Sequence, residues 1–211
     1  MTLRVDPSTT LAGAVIVATE YEQASSLPEA IPNGLEDVRL IKAKHFGDQR
    51  GWFCEIYAGE MAGAGGALEH LTFVQDNASL STHIGTVRGL HYQAPPFAQD
   101  KLLSVMCGAI FDVAVDIRRS SPTFGRHVSF ELRAGTGHQL FIPAGFAHGF
   151  MTLEPNSVVF YKVTKPYAPD FDRGILWNDP DLGIDWPMQE THISQKDEGL
   201  PRLRSVADFF P

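Results

Sequence analysis

Two stretches of the chain have the spacing of the metal-binding motifs of small β-barrels, yet most of the ligands are missing. The first runs Gly89-Leu90-His91-Tyr92-Gln93 and on to Lys101 and Gly108. The second is GHQLFIPAGFAH, from Gly137 to His148. A barrel of this kind that holds a metal offers a His-x-His pair and a carboxylate on the first stretch and one more His on the second. Here Gln93 occupies the place of the second His, and Phe97 and Ala98 that of the carboxylate. His91, His148 and a nearby lysine remain. The pattern predicts no bound metal, no cofactor, and chemistry confined to moving protons.

His91 is the first candidate for that chemistry. A lone histidine in a strand is more often a satisfied core residue, but a motif position of this kind faces the cavity. Imidazole, with an ordinary pKa of about 6.5, accepts a proton near neutral pH. By strand alternation Arg88 shares a face with Leu90, and His91 points to the other. Lys101 follows the loop Ala94–Asp100 and opens the buried-looking run Leu102-Leu103-Ser104-Val105. It reads either as a solvated strand edge or as a cation stabilising a developing enolate. Tyr161 follows Val158-Val159-Phe160 and reads either as core or as a general acid, a role Tyr167 can share or modulate. His148, between Gly145 and Gly149, can orient a substrate hydroxyl or serve a tight bend. Asp197 alone is an exposed charge; it gains meaning only if the tail folds back to His91 and fixes its tautomer. Arg50, Glu55, Gln75, Asn77 and Arg88 form a polar set suited to gripping phosphate and reading the edge of a base. No glycine-rich phosphate loop is present, so side chains must hold any nucleotide.

These groups need strands to position them. Val38–Ala43 reads as a strand leading to a turn at Gly47-Asp48, and Trp52–Tyr57 is half-apolar. The apolar Thr72–Val74 runs into the polar Gln75-Asp76-Asn77. Lys101–Cys107, Gly108 and Ala109–Ile117 read as two strands about a turn, with Phe111, Val113, Val115 and Ile117 alternating with Asp112, Ala114 and Asp116. Further strands are expected at His127–Leu132, Gln139–Ile142, His148–Leu153 and Ser157–Val163. Many short strands, 19 glycines and 14 prolines predict an all-β chain, a barrel or jelly roll with few short helices. Residues 1–34, with Pro7, Pro28 and Pro32, read as an N-terminal extension, strand-like at Ala14–Thr19, that packs on the barrel edge or is partly mobile. Residues 35–211 form the single domain, its tail from Trp177 wrapping the outside with at most one short helix. A length of 211 residues suffices for one sizeable core. A formal net charge of −8 argues against nucleic acid. The apolar run Leu11–Ala18 is too short for a membrane span. The expectation is a cytoplasmic protein, with Cys54 and Cys107 as buried free thiols.

Taken together, the motifs resemble one family. They are Phe46–Phe53 (FGDQRGWF), Gln75–Ser79 (QDNAS), Arg88–Gln93 (RGLHYQ), Gln99–Leu102, Ser121–Gly125 (SPTFG), Ile142–Phe150 (IPAGFAHGF), Tyr161-Lys162 and Trp177–Pro180 (WNDP). In this order, over roughly residues 36 to 201, they resemble the dTDP-4-dehydrorhamnose 3,5-epimerase family. The resemblance implies a double-stranded β-helix, the cupin-type jelly roll, acting without metal on a dTDP-linked 4-keto-6-deoxyhexose. It implies His91 as base, Tyr161 as acid on the opposite face of the sugar, Lys101 stabilising the enolate and Asp197 supporting His91. It implies substrate contacts from Arg50, Glu55, Gln75, Asn77, Arg88, His148, Tyr167, Asp172 and Lys196. It implies a homodimer in which the neighbouring subunit supplies part of each nucleotide site. Asp172 stands where the family commonly has Glu, making that contact shorter. Ile193-Ser194 replaces a Leu-Ser, and the N-terminal extension is longer than usual. Three other readings stay open: a single-centre epimerase of a related keto-sugar, a non-catalytic sugar-binding barrel, and a metal-dependent oxygenase or isomerase barrel.

Overall fold

The computed structural model describes residues 34–58, 68, 70–189, 191–206 and 210, with the backbone of Val15–Val17. Apart from those three residues, the expectations for the N-terminal extension lie outside the described residues. Among the described residues the elements are β1 (Val15–Val17), β2 (Arg39–Lys42), β3 (His45–Asp48), β4 (Gly51–Cys54), β5 (Gln75–Ser81), β6 (Val87–Gln93) and β7 (Lys101–Cys107). They continue as β8 (Ala109–Asp116), β9 (His127–Arg133), β10 (His138–Ile142), β11 (Phe146–Thr152), β12 (Ser157–Val163), β13 (Asp172–Gly174) and one α-helical turn, α1 (Gln195–Glu198), with 3-10 turns at Pro169–Phe171 and Leu203–Ser205.

Two sheets face each other. One has the order β1-β9-β8-β11-β6-β13 and the other β2-β10-β7-β12-β5, while β3 and β4 form a separate hairpin. The pairings are antiparallel except that of β1 with β9. The chain is therefore the all-β double-stranded β-helix expected of it.

Alternation decides what each strand contributes. In β8, Ile110 and Ala114 point between the sheets and pack with Leu103, Phe130, Leu140, Phe146, Phe150 and Val159. Phe111, Val113 and Val115 point the other way, yet they too are buried, under Leu182, Leu203 and Val206 of the tail. Burying each such aliphatic side chain contributes about 1.5–3 kcal/mol. The three together hold the tail firmly against the outer face. Asp112 lies on the inward face of β8, where a carboxylate needs a partner.

Three local expectations are corrected. The hairpin turn falls at Gln49-Arg50, not Gly47-Asp48, because Gly51, with φ +133°, takes the conformation closed to other residues. Thr72–Val74 lies outside any strand, and the strand is the polar Gln75–Ser81. The cysteines are free, but Cys107 is exposed and Cys54 only half-buried.

Alternation also breaks in β6. Its pairing with β11 shifts register between His148, opposite His91, and Phe150, opposite Arg88. Gly89 sits in this bulge with φ +124°. A β-carbon there would lie 2.6 Å from the Cα of Gly149, so neither a side chain nor ordinary strand geometry fits. The extra residue turns both Arg88 and His91 into the same cavity, while Leu90 packs under the tail. The expectation that Arg88 and His91 face opposite ways is thereby overturned.

Candidate active site

The two sheets enclose a cavity of about 680 Å³. One wall is the six-stranded sheet, contributing His91 from β6 and His148 from β11. The facing wall is the five-stranded sheet, contributing Lys101 from β7 and Tyr161 from β12. The tail closes the rim with Ser194, Lys196 and Asp197.

His91 is one-third exposed and its Nε2 lies 2.7 Å from Oδ1 of Asp197, which is almost wholly buried. The carboxylate's other oxygen accepts from the Gly89 backbone N–H at 3.2 Å. Asp197 is in turn fixed by α1, where its N–H donates to Oγ of Ser194, the helix cap, at 3.1 Å. Burial alone pushes the Asp197 pKa up. The hydrogen bonds and charge of His91, the Gly89 N–H and the charge of Lys196 outweigh it and hold the carboxyl below its usual range. An ionised Asp197 only accepts, so His91 carries its proton on Nε2 and leaves Nδ1 with a free lone pair.

A second imidazole–carboxylate pair lies beside the first. His148, cross-strand neighbour of His91, places Nε2 at 2.9 Å from Oδ2 of Asp112. Both groups are buried, and burial is the leading cause that pushes His148 below the ordinary imidazole value. Asp112 opposes the shift, while Lys101 and His91 add to it. The ring is held neutral and in one tautomer. Removing the imidazole leaves a buried carboxylate without its donor, which costs about 1–3 kcal/mol or more.

Lys101 is buried against the opposite wall, its ammonium reaching the His91 carbonyl at 3.4 Å. Burial lowers its pKa to about 8, partly opposed by Asp112 and Asp172. Tyr161 is half-buried. Burial raises its phenol, Arg88 lowers it and Asp172 raises it, for a net upward shift. At the rim Lys196 pairs with Asp172 at 2.6 Å, and the Tyr167 hydroxyl donates to the same carboxylate at 3.2 Å. Arg88 donates to Ser81 Oγ and to the Leu80 carbonyl, each at 3.1 Å.

Gln93, read from the sequence as a missing ligand, has its amide fully engaged. It donates to the Phe97 and Pro166 carbonyls at 2.8 and 3.2 Å and accepts from Ala168 N–H at 2.7 Å. It thereby ties the loop before Lys101 to the segment that carries Tyr167. Among the described residues no three His, Cys, Asp or Glu side chains gather as a metal site.

The cavity thus gathers His91, Lys101, Tyr161, Asp197, Arg88, His148, Tyr167, Asp172 and Lys196. Gln75 and Asn77 are not among its lining. They share the cavity-facing side of β5 with Ser79 and Ser81 but lie further along the strand, bonded to each other at 2.8 Å, and Gln75 accepts from Tyr167 N–H. Arg50 and Glu55 are not brought to the cavity. Arg50 pairs with Asp48 on the hairpin, and Glu55 lies 4.0 Å from Lys44. Asp112 escaped the sequence reading as a site residue, although a carboxylate in the otherwise apolar AIFDVAVD was its signal.

Residues 32–205 match the family model described as dTDP-4-dehydrorhamnose 3,5-epimerase. The chain belongs to the dTDP-4-dehydrorhamnose 3,5-epimerase family. A member from Sinorhizobium fredii is 51% identical over 170 residues, 80% of this chain and 86% of that one. The crystal structure of the Bacillus anthracis member, with TDP and PPi bound, shares 46% identity. It superposes with a TM-score of 0.75 over 82% of this chain and 98% of its own. The Legionella pneumophila epimerase, in complex with dTDP-4-keto-L-rhamnose, shares 41% identity, with a TM-score of 0.77 over 83% of this chain and 92% of its own. The family match therefore spans β2 to β13, the strands that carry the cavity.

Proposed function

We propose that this chain is an isomerase that inverts carbons 3 and 5 of dTDP-4-dehydro-6-deoxy-D-glucose, giving dTDP-4-dehydro-L-rhamnose. The observation that carries the mechanism is the placing of His91 and Tyr161 on facing walls, with the buried Lys101 on the Tyr161 wall reaching across to the His91 carbonyl. The ketone at carbon 4 acidifies the hydrogens on its neighbours. His91, oriented by Asp197, takes one of these. Lys101 stabilises the enolate oxygen with a charge already in place before the reaction. Tyr161 returns a proton from the other side, which inverts the centre. The same cycle at the second carbon completes the double inversion. Arg88, His148, Tyr167, Asp172 and Lys196 hold the substrate, with Gln75 and Asn77 flanking the mouth.

A proton NMR time course with this substrate in deuterated water tests the reading. Deuterium is expected at carbons 3 and 5 together with the doubly inverted sugar. Exchange and inversion at one carbon only would make the chain a single-centre epimerase, and no turnover a sugar-binding barrel. The rate should fall as pH rises through about 8, because the Lys101 ammonium is present below that value and lost above it. A rate sustained to pH 10 would exclude the lysine's charge from the reaction.

We read the assembly as a homodimer. The hairpin of β3 and β4 projects Phe46, Trp52 and Phe53, each more than half exposed, together with Arg50. A neighbouring subunit can use this hairpin to complete the nucleotide end of the site. Light scattering on the purified chain should give twice the monomer mass; a monomer active at full rate rules this out. The free thiols of Cys54 and Cys107 support a reducing, cytoplasmic setting.

A further inference from the structure

One end of the cavity is built from residues that the mechanism leaves unused. His83, in the turn between β5 and β6, and His192, in the tail, adjoin with ring centroids 4.6 Å apart and planes tilted by 31°. Both line the same cavity as His91. The backbone fixes both. The His83 carbonyl accepts from the hydroxyls of Thr86 and Thr152 at 2.8 and 2.7 Å. His192 is bound on both sides, its N–H to the Gly85 carbonyl at 3.0 Å and its carbonyl from Val87 N–H at 2.9 Å. Thr82 Oγ1 lies 3.0 Å from His83 Nδ1 and sets the angle of that ring.

The chemistry around the pair has one sign. The cavity-lining residues from Ser79 to Arg88 include the hydroxyls of Ser79, Ser81, Thr82 and Thr86 and the Arg88 guanidinium, with no carboxylate among them. Arg88 is anchored to the start of the same turn through Ser81 and Leu80. The cavity's carboxylates are occupied elsewhere, Asp172 by Lys196 and Asp197 by His91. In a chain of net charge −8, this end is a local concentration of hydrogen-bond donors. The two rings adjoin at a tilt, and each offers its own ring nitrogens to the cavity's end. Each can donate an N–H to a separate oxygen of a multi-oxygen anion, in either charge state of the ring.

We propose that His83 and His192 form, with Arg88, a positioning site for the diphosphate of the nucleotide sugar. The inference rests on the reading above that the substrate is dTDP-linked, and it assigns the anionic part of that substrate to a pair of adjoining imidazoles. Backbone bonds fix both residues and Thr82 holds the His83 ring before the ligand arrives, which lowers the freedom lost on binding.

The test uses the full chain, with dTDP and thymidine as probes in titration calorimetry. The His83→Phe/His192→Phe double variant keeps two adjoining rings and removes their donors. Its Kd for dTDP should rise about 10- to 100-fold, the range expected for lost hydrogen bonds to a charged group, with thymidine binding unchanged. In turnover KM should rise with kcat unmoved, and His83→Gln/His192→Gln, which restores a donor at each position, should recover most of the loss. Unchanged dTDP affinity in the Phe variant, or equal weakening of dTDP and thymidine, overturns the proposal. A wild-type chain that fails to bind dTDP instead overturns the substrate reading and this inference with it. A wild type that binds dTDP leaves the variants to judge the histidines alone.

Discussion

His91→Ala abolishes the incorporation of solvent deuterium into the substrate at both carbons. General base catalysis contributes typically 10²–10⁴-fold, and in this cavity no second group is set to replace it. His148, the nearest imidazole, has Nε2 committed to Asp112 and is held neutral by burial. Lys101 retains its proton up to a pH of about 8. The loss should therefore be at least 10²-fold at neutral pH, measured by NMR as the rate of deuterium uptake. The half-buried ring of His91 supports little core packing, so the variant should fold and still bind dTDP. Near-normal exchange in a folded variant would falsify the assignment of the base.

Tyr161→Phe separates the two halves of the reaction. The substitution removes one oxygen and leaves the ring packed where it is, so the walls keep their shape. His91, on the opposite wall, and Asp197, on the tail, are untouched. Deuterium should still enter the substrate from the side that His91 serves, while the inverted product appears about 10²–10⁴-fold more slowly. Uptake without inversion is the signature of a missing acid on the far face. Inversion at the wild-type rate would remove Tyr161 from the mechanism. Exchange and inversion lost in equal measure would place it upstream, in binding.

The parts of this structure that were readable in the sequence are those fixed by neighbours along the chain. β8 shows its alternation directly, and the jelly roll follows from many short strands. β5 was masked because it is an edge strand with one face to solvent and the other to a polar cavity. Neither face is apolar, so Gln75–Ser81 looks like a loop beside the oilier Thr72–Val74. The shared orientation of Arg88 and His91 was hidden because it depends on a bulge, set by the contact of Gly89 with Gly149 on another strand. Asp197 is the clearest case of distance. Locally it is a charge in a polar run, and only the burial of Leu182, Leu203 and Val206 brings it 106 residues back to His91. The resemblance to a family supplied that pairing where local reasoning could not. Asp112 was visible as a polar residue in β8, but its partner lies on a strand the spacing alone could not place.

Asp197 divides the labour along the chain. Among the described residues every strand of the two sheets is complete by Gly174, and the carboxylate bonded to His91 comes from the segment beyond them. The vessel and the group that fixes the tautomer of its imidazole are thus encoded separately, so a substitution in α1 can change that tautomer without touching a strand.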